Sequence, residues 1–215
     1  MEKAPEPSLL RVLGRKFAGA PWTVETCMIE GRGSDRARAM AYEDSDQLDR
    51  LIDVLVSATS AYLAMQARAG AQVLMLFESW AELLPEDIFQ RLATLAHARI
   101  VAAPRAGGIE APVIGFPRGA GALVEDYAQA SGVQGVGLDV QATAALGKRL
   151  QAHVAIQGAL DPLLLRAGGK ALDTRIEALL KQWSGGPYIF NLGHGVLPDT
   201  PIEHIGQVER RVQRR

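Results

Sequence analysis

Short apolar runs that recur along the chain, each followed by glycine or proline and then by a stretch of helical spacing, constrain the fold more than any other feature of this sequence. The runs occupy residues 17–20, 73–77, 112–116, 133–138, 153–156 and 188–192. Their apolar character is continuous rather than alternating, which is the pattern of parallel strands covered on both faces. Strand, helix and strand in repetition predict an α/β fold. Two architectures satisfy that pattern, a doubly wound open sheet and a (β/α)8 barrel, and the residue pattern alone leaves both open.

The intervening stretches predict helices with identifiable ends. Residues 46–69 place Leu48, Leu51, Ile52, Leu55, Tyr62 and Leu63 on one face, and Gly70 can close the helix in a left-handed conformation. Pro85, Glu86 and Asp87 open a second helix running toward Val101, with acids at its positive end. Shorter helices are predicted over 122–130, 141–150 and 171–183. Thr200, Pro201 and Glu203 read as a capping box that starts a terminal helix. Residues 104–111 are the most loop-like stretch, and there is no internal repeat. One domain is expected.

Composition narrows the classes of function. The 215 residues carry 23 Lys and Arg against 24 Asp and Glu, so no global charge bias suggests a nucleic-acid partner. A single cysteine, Cys27, excludes an internal disulfide framework and a cysteine-cluster zinc site. No run approaches the ~18 apolar residues of a membrane span, and the first residues lack a signal-peptide core, so a cytoplasmic protein is expected.

In both candidate architectures ligands collect at the C-terminal ends of the strands. The residues found there include Pro21-Trp22-Thr23, Glu78-Ser79-Trp80, Pro117-Arg118-Gly119, Asp139, Asp161-Pro162 and Gly193-His194-Gly195. These segments are polar and glycine-rich, and an arginine, a hydroxyl and an imidazole together suit a polyanionic ligand.

The same segments carry a resemblance. Asn191-Leu192-Gly193-His194-Gly195-Val196-Leu197-Pro198-Asp199-Thr200-Pro201 resembles the closing motif of uroporphyrinogen decarboxylases. In the same order the chain is similar to that family at Phe17-Ala18-Gly19-Ala20-Pro21-Trp22-Thr23, Met28 to Ser34, Phe77-Glu78-Ser79-Trp80, Val113 to Gly121, Val136-Gly137-Leu138-Asp139 and Gln157 to Pro162. The resemblance covers about residues 17 to 205 and implies an incomplete (β/α)8 barrel with about six β/α units over 17–215, preceded by a divergent segment, 1–16. It implies a homodimeric lyase of haem biosynthesis, without metal or organic cofactor, that removes carbon dioxide from four acetate side chains of the tetrapyrrole uroporphyrinogen. Among site residues it implies His194 and Ser79 as substrate contacts and places Cys27 where the family has a substrate-contacting tyrosine. Arg118 is a further candidate for a substrate carboxylate.

The departures are specific. Ala159 and Val140 stand where the family usually has asparagine and tryptophan. The family's arginine-rich Gly-Arg-Tyr motif and its pyrrole-binding aspartate, which belong to two upstream β/α units, do not occur in this sequence. Arg15 and Lys16 also put charge where the family's strand is apolar, which predicts a compromised first strand. Related corrinoid methyltransferases hold zinc with His and Cys near the last strand, but Val196 occupies the position of that cysteine. The second reading is therefore an N-terminally truncated, inactive relative acting as a binding module or without function.

Plainer roles compete at each position. A histidine between glycines can serve a loop backbone, a strand-end serine can satisfy a nearby amide, and an isolated cysteine is ordinarily a small filler. Asp139 and Asp161 are either acids of the site or caps, and Asp161-Pro162 has the form of an N-cap followed by a first-turn proline. The run from Glu209 to Arg215 reads as a solvated helix end whose cations complement the dipole.

Overall fold

A computed structural model describes residues 15–31 and 35–213. The N-terminal segment singled out above lies almost wholly outside them, as do Arg32, Gly33 and Ser34 of the Met28 motif.

The six strands are β1 (Arg15–Gly19), β2 (Val73–Glu78), β3 (Val113–Pro117), β4 (Gly135–Gly137), β5 (Ala155–Leu160) and β6 (Tyr188–Leu192). All pair in parallel, and their spatial order follows the chain from β1 to β6. A doubly wound sheet reverses its strand order at a switch point, whereas a barrel wall is laid down sequentially. The topology is therefore that of an incomplete barrel, with β1 and β6 as its two edges. β1 forms over five residues despite Arg15 and Lys16, which sit in register with Val73 and Leu74, so the expectation of a compromised first strand is corrected. Backbone pairing along a neighbour is sufficient to hold a strand whose first residues lie at a sheet edge.

Between the strands run α1 (Pro21–Glu30), α2 (Asp35–Glu43), α3 (Ser45–Arg68), α4 (Glu86–Phe89), α5 (Ala96–Ala106), α6 (Val124–Ala130), α7 (Ala144–Leu150), α8 (Pro162–Ala167) and α9 (Gly169–Trp183), and α10 (Ile202–Gln213) follows β6. The period of two along each strand sorts side chains between two surfaces. Met75, Ile114 and Phe116 form a small cluster with Phe77 and Ile189 on the concave, lumen side. Leu74, Leu76, Val113, Val136 and Ile156 face the helices and join one continuous core.

Several boundaries follow from capping chemistry. Asp44 caps α3 by accepting from the Gln47 N–H at 3.2 Å, and Thr143 caps α7 by accepting from Leu146 N–H at 3.2 Å. Asp161 accepts from Leu163 N–H at 2.8 Å with Pro162 at the first helical position, the cap form of that dipeptide. The buried stripe of α3 is Leu48, Ile52, Val56 and Leu63, while Tyr62 is 47% exposed and so leaves the expected face. The helix predicted from Pro85 is interrupted by a wide π turn at Gln90–Leu95 and continues through Pro104 to Ala106. Pro104 keeps a helical φ but has no N–H for the Ile100 carbonyl, and the helix ends two residues later. The capping box at Thr200 does not form: α10 begins at Ile202, and the Thr200 hydroxyl has no hydrogen-bond partner among the described residues.

Candidate functional site

The alternation of β2 decides the placement of the first candidate. Phe77 faces the lumen and Glu78 the helix layer, so Ser79, just past the strand end, returns to the lumen side. There it lines a cavity of about 470 Å³ together with His194, Asn191, Phe17, Phe77 and Phe116. His194 reaches the same mouth from the turn after β6, where Gly193 makes the close approach possible: a Cβ on it would lie 2.7 Å from the Val140 nitrogen. The Ser79 hydroxyl has no hydrogen-bond partner among the described residues.

Arg118 enters from the turn after β3. Its Nη1 lies 3.4 Å from His194 Nε2, and its Nη2 donates to Glu82 Oε2 at 2.6 Å. Since the guanidinium is only a donor, Nε2 is the acceptor and the imidazole proton sits on Nδ1. Gly119, at φ +76°, lets this loop pass against Glu82, whose Cβ would lie 2.3 Å from any side chain there. Asp139 ties the neighbouring loop to it, accepting from Gly119 N–H through Oδ2 and from Gln141 N–H through Oδ1, both at 2.9 Å. Its role is that of a loop brace.

Cys27 is placed apart from these three. It is exposed on α1, six residues beyond Pro21 or about 9 Å along the helix axis, and does not line the cavity. Ser79 and His194 thus line one cavity, Arg118 lies beside it against His194, and the structure adds Glu82, which lies outside the strand-end motifs.

Behind the β2 end lies a buried polar cluster that the apolar pattern conceals. Glu78 and His97 are fully buried, with His97 Nε2 3.4 Å from Glu78 Oε2 and His97 Nδ1 2.7 Å from the Tyr127 hydroxyl. The Thr23 hydroxyl donates to Glu78 Oε1 in a short hydrogen bond and accepts from Ser79 N–H at 2.7 Å. Glu25, also fully buried, has no hydrogen-bond partner for either oxygen among the described residues. Burial, and then the nearby Glu78 and Asp49 carboxyls, push its pKa up to about 8, with Arg91 opposing.

The class defined by this fold and mouth is a barrel-type α/β protein with an anion-suited site at the C-terminal ends of its strands. The family profile described as Uroporphyrinogen decarboxylase (URO-D) matches residues 11–215, and the chain belongs to that family. The uroporphyrinogen decarboxylase of Phenylobacterium zucineum is 65% identical over 199 residues, covering 91% of this chain and 58% of its own length. That of Caulobacter vibrioides is 62% identical over 198 residues, covering 91% and 56%. The chain therefore spans somewhat over half the length of these relatives. Among solved structures, a methyltransferase from Methanosarcina mazei superimposes with a TM-score of 0.73 at 18% identity, over 92% of this chain and 58% of that one. This likeness is one of fold. Among the described residues no group of three His, Cys, Asp or Glu is arranged to hold a metal ion, and no helix is long and apolar enough to cross a membrane.

Proposed function

We propose that this chain provides the carboxylate-binding side of a uroporphyrinogen decarboxylase, a cytoplasmic lyase of haem biosynthesis that converts uroporphyrinogen to coproporphyrinogen without a metal or organic cofactor. The observation that carries this reading is that Ser79 and His194 line one cavity floored by Met75, Phe77 and Phe116, with the Arg118 guanidinium 3.4 Å from His194. A tetrapyrrole presents the matching chemistry, an apolar ring bearing ionised side chains.

Decarboxylation of an acetate side chain requires an electron sink, which protonation of a pyrrole carbon supplies by making the ring cationic. As the C–C bond to the carboxylate breaks, its electron pair neutralises that ring, carbon dioxide departs and an exocyclic methylene remains; a proton added to that methylene and release of the ring proton give the methyl group. In this reading Arg118 and the His194 Nδ1–H hold acetate carboxylates, Ser79 donates its hydroxyl to another, and the aromatic floor fixes the macrocycle. Cys27 takes the family's tyrosine position by resemblance but lies outside the cavity, so no carboxylate contact is assigned to it. The active unit is a homodimer of one-domain chains, with neither nucleic acid nor membrane as a partner.

The test is anaerobic incubation of purified protein with uroporphyrinogen, following stepwise loss of carboxylates by chromatography. Coproporphyrinogen is the expected product, and Ser79→Ala and His194→Ala should each reduce kcat/KM by about tenfold or more, the scale of one charge-assisted hydrogen bond. Binding of uroporphyrin with no product at any protein concentration would favour the non-catalytic binding module instead, a reading to which the exposed Cys27 gives its weight.

A further inference from the structure

The Ser79 amide lies beyond the last residue of β2, where ladder pairing no longer fixes the chain. Among the described residues it bonds to a side chain, Thr23 Oγ1 at 2.7 Å. The Thr23 hydroxyl has one proton, and the short bond to Glu78 Oε1 takes it, which turns an oxygen lone pair toward the Ser79 N–H. Glu78 is in turn held on its second oxygen by His97 at 3.4 Å. The Glu78 carboxylate only accepts, which places the imidazole proton on His97 Nε2 and leaves Nδ1 to accept from the Tyr127 hydroxyl at 2.7 Å. The series runs from α6 through α5 and β2 to α1 before it returns to the cavity mouth. Room for it is made by Gly115, where a Cβ would lie 1.8 Å from the Tyr127 oxygen. Glu78 also serves the neighbouring loop, because its backbone carbonyl accepts the Arg118 N–H at 3.0 Å.

We propose that Glu78 and Thr23 are positioning residues for the mouth: Glu78, oriented by His97 and Tyr127, aims Thr23 at the Ser79 backbone and thereby fixes where the Ser79 hydroxyl points. Its bearing on ligand binding rests on the carboxylate-site reading above. A core that needed only stability at this place would be served as well by apolar side chains, since buried polar series are favourable only when every member is satisfied. Here the satisfied members end on an amide at the site.

The test is residue-resolved amide hydrogen exchange, combined with fluorescence titration of uroporphyrin. In the wild-type protein the Ser79 amide should exchange as slowly as the ladder amides of β2; exchange as fast as an exposed loop would overturn the proposal without any variant. Thr23→Val should speed exchange at Ser79 about tenfold while the Leu76 amide is unchanged, and Thr23→Ser should restore it. Thr23→Val should also weaken uroporphyrin binding about tenfold, with no further loss when combined with Ser79→Ala. Independent, multiplying effects of the two substitutions, or a failure of Thr23→Ser to rescue, would overturn it. Wild-type protein that protects Ser79 but does not bind uroporphyrin would sink the tetrapyrrole reading and leave the positioning role standing.

Discussion

At the scale of residues, the fully buried Glu25 gives the molecule its clearest pH dependence. Its carboxyl titrates near 8 in the folded chain, far above the 4.5 of an exposed glutamate, with burial the main cause. The folded state therefore holds a proton that the unfolded chain releases. The sign follows: this group favours folding fully below about pH 4.5, the advantage falls as pH rises toward 8, and above that it is gone. Glu25→Gln should flatten this decline and stabilise the protein at pH 7 by on the order of 2 kcal/mol, given about 1.4 kcal/mol per pH unit before solvent relaxation. Thermal melts of both proteins from pH 5 to 8.5 read it directly; parallel curves would show that Glu25 is not the titrating group. The site residues were legible in sequence because strand ends mark ligand positions in parallel α/β folds. Glu82 stood outside the strand-end motifs, and Thr23 and Glu78 lay within them without showing their pairing, because these roles depend on neighbours 36 to 56 positions away.

Among the elements, β3 shows how a missing side chain becomes structural. Gly115 is buried on the helix face of the strand, and the Tyr127 ring of α6 occupies the space that a Cβ would need. Gly115→Ala should force that ring away from His97 and cost about 1–3 kcal/mol, the range for overpacking. Chemical denaturation checks the stability, and exchange at the Ser79 amide should rise with it if the polar series is continuous. Periodicity located all six strands and the long helix α3. It missed the π turn before α5 and the helical continuation through Pro104, since a wide turn preserves the apolar stripe while changing the hydrogen bonds beneath it.

For the whole molecule, the consequence of an incomplete barrel is exposure of surface that closure would cover. Phe17, on the edge strand β1, is 66% exposed, and its ring touches the described structure edge-on at Phe77, with centroids 5.7 Å apart. β6, at the other edge, is half-buried along its whole length. Unpaired strand edges beside apolar surface favour association. The protein should form species larger than a dimer as concentration rises, and Phe17→Ser should suppress them with little change in melting temperature. Sedimentation velocity across a concentration series would show it; unchanged association in the variant would shift attention to β6.

Sequence alone determined the β/α class, the number of strands and the strand-end positions, because apolar runs, helical spacing and capping residues are local and each carries its own signal. The resemblance added a family, now shown by a match over residues 11–215. Three features emerge only once the chain is folded: the sequential strand order that makes this a barrel wall, the separation of Cys27 from the cavity, and the buried series that ends on Ser79. Each depends on which distant residues are brought together, and the pairing of Thr23 with Glu78 across 55 positions leaves no periodic trace along the chain.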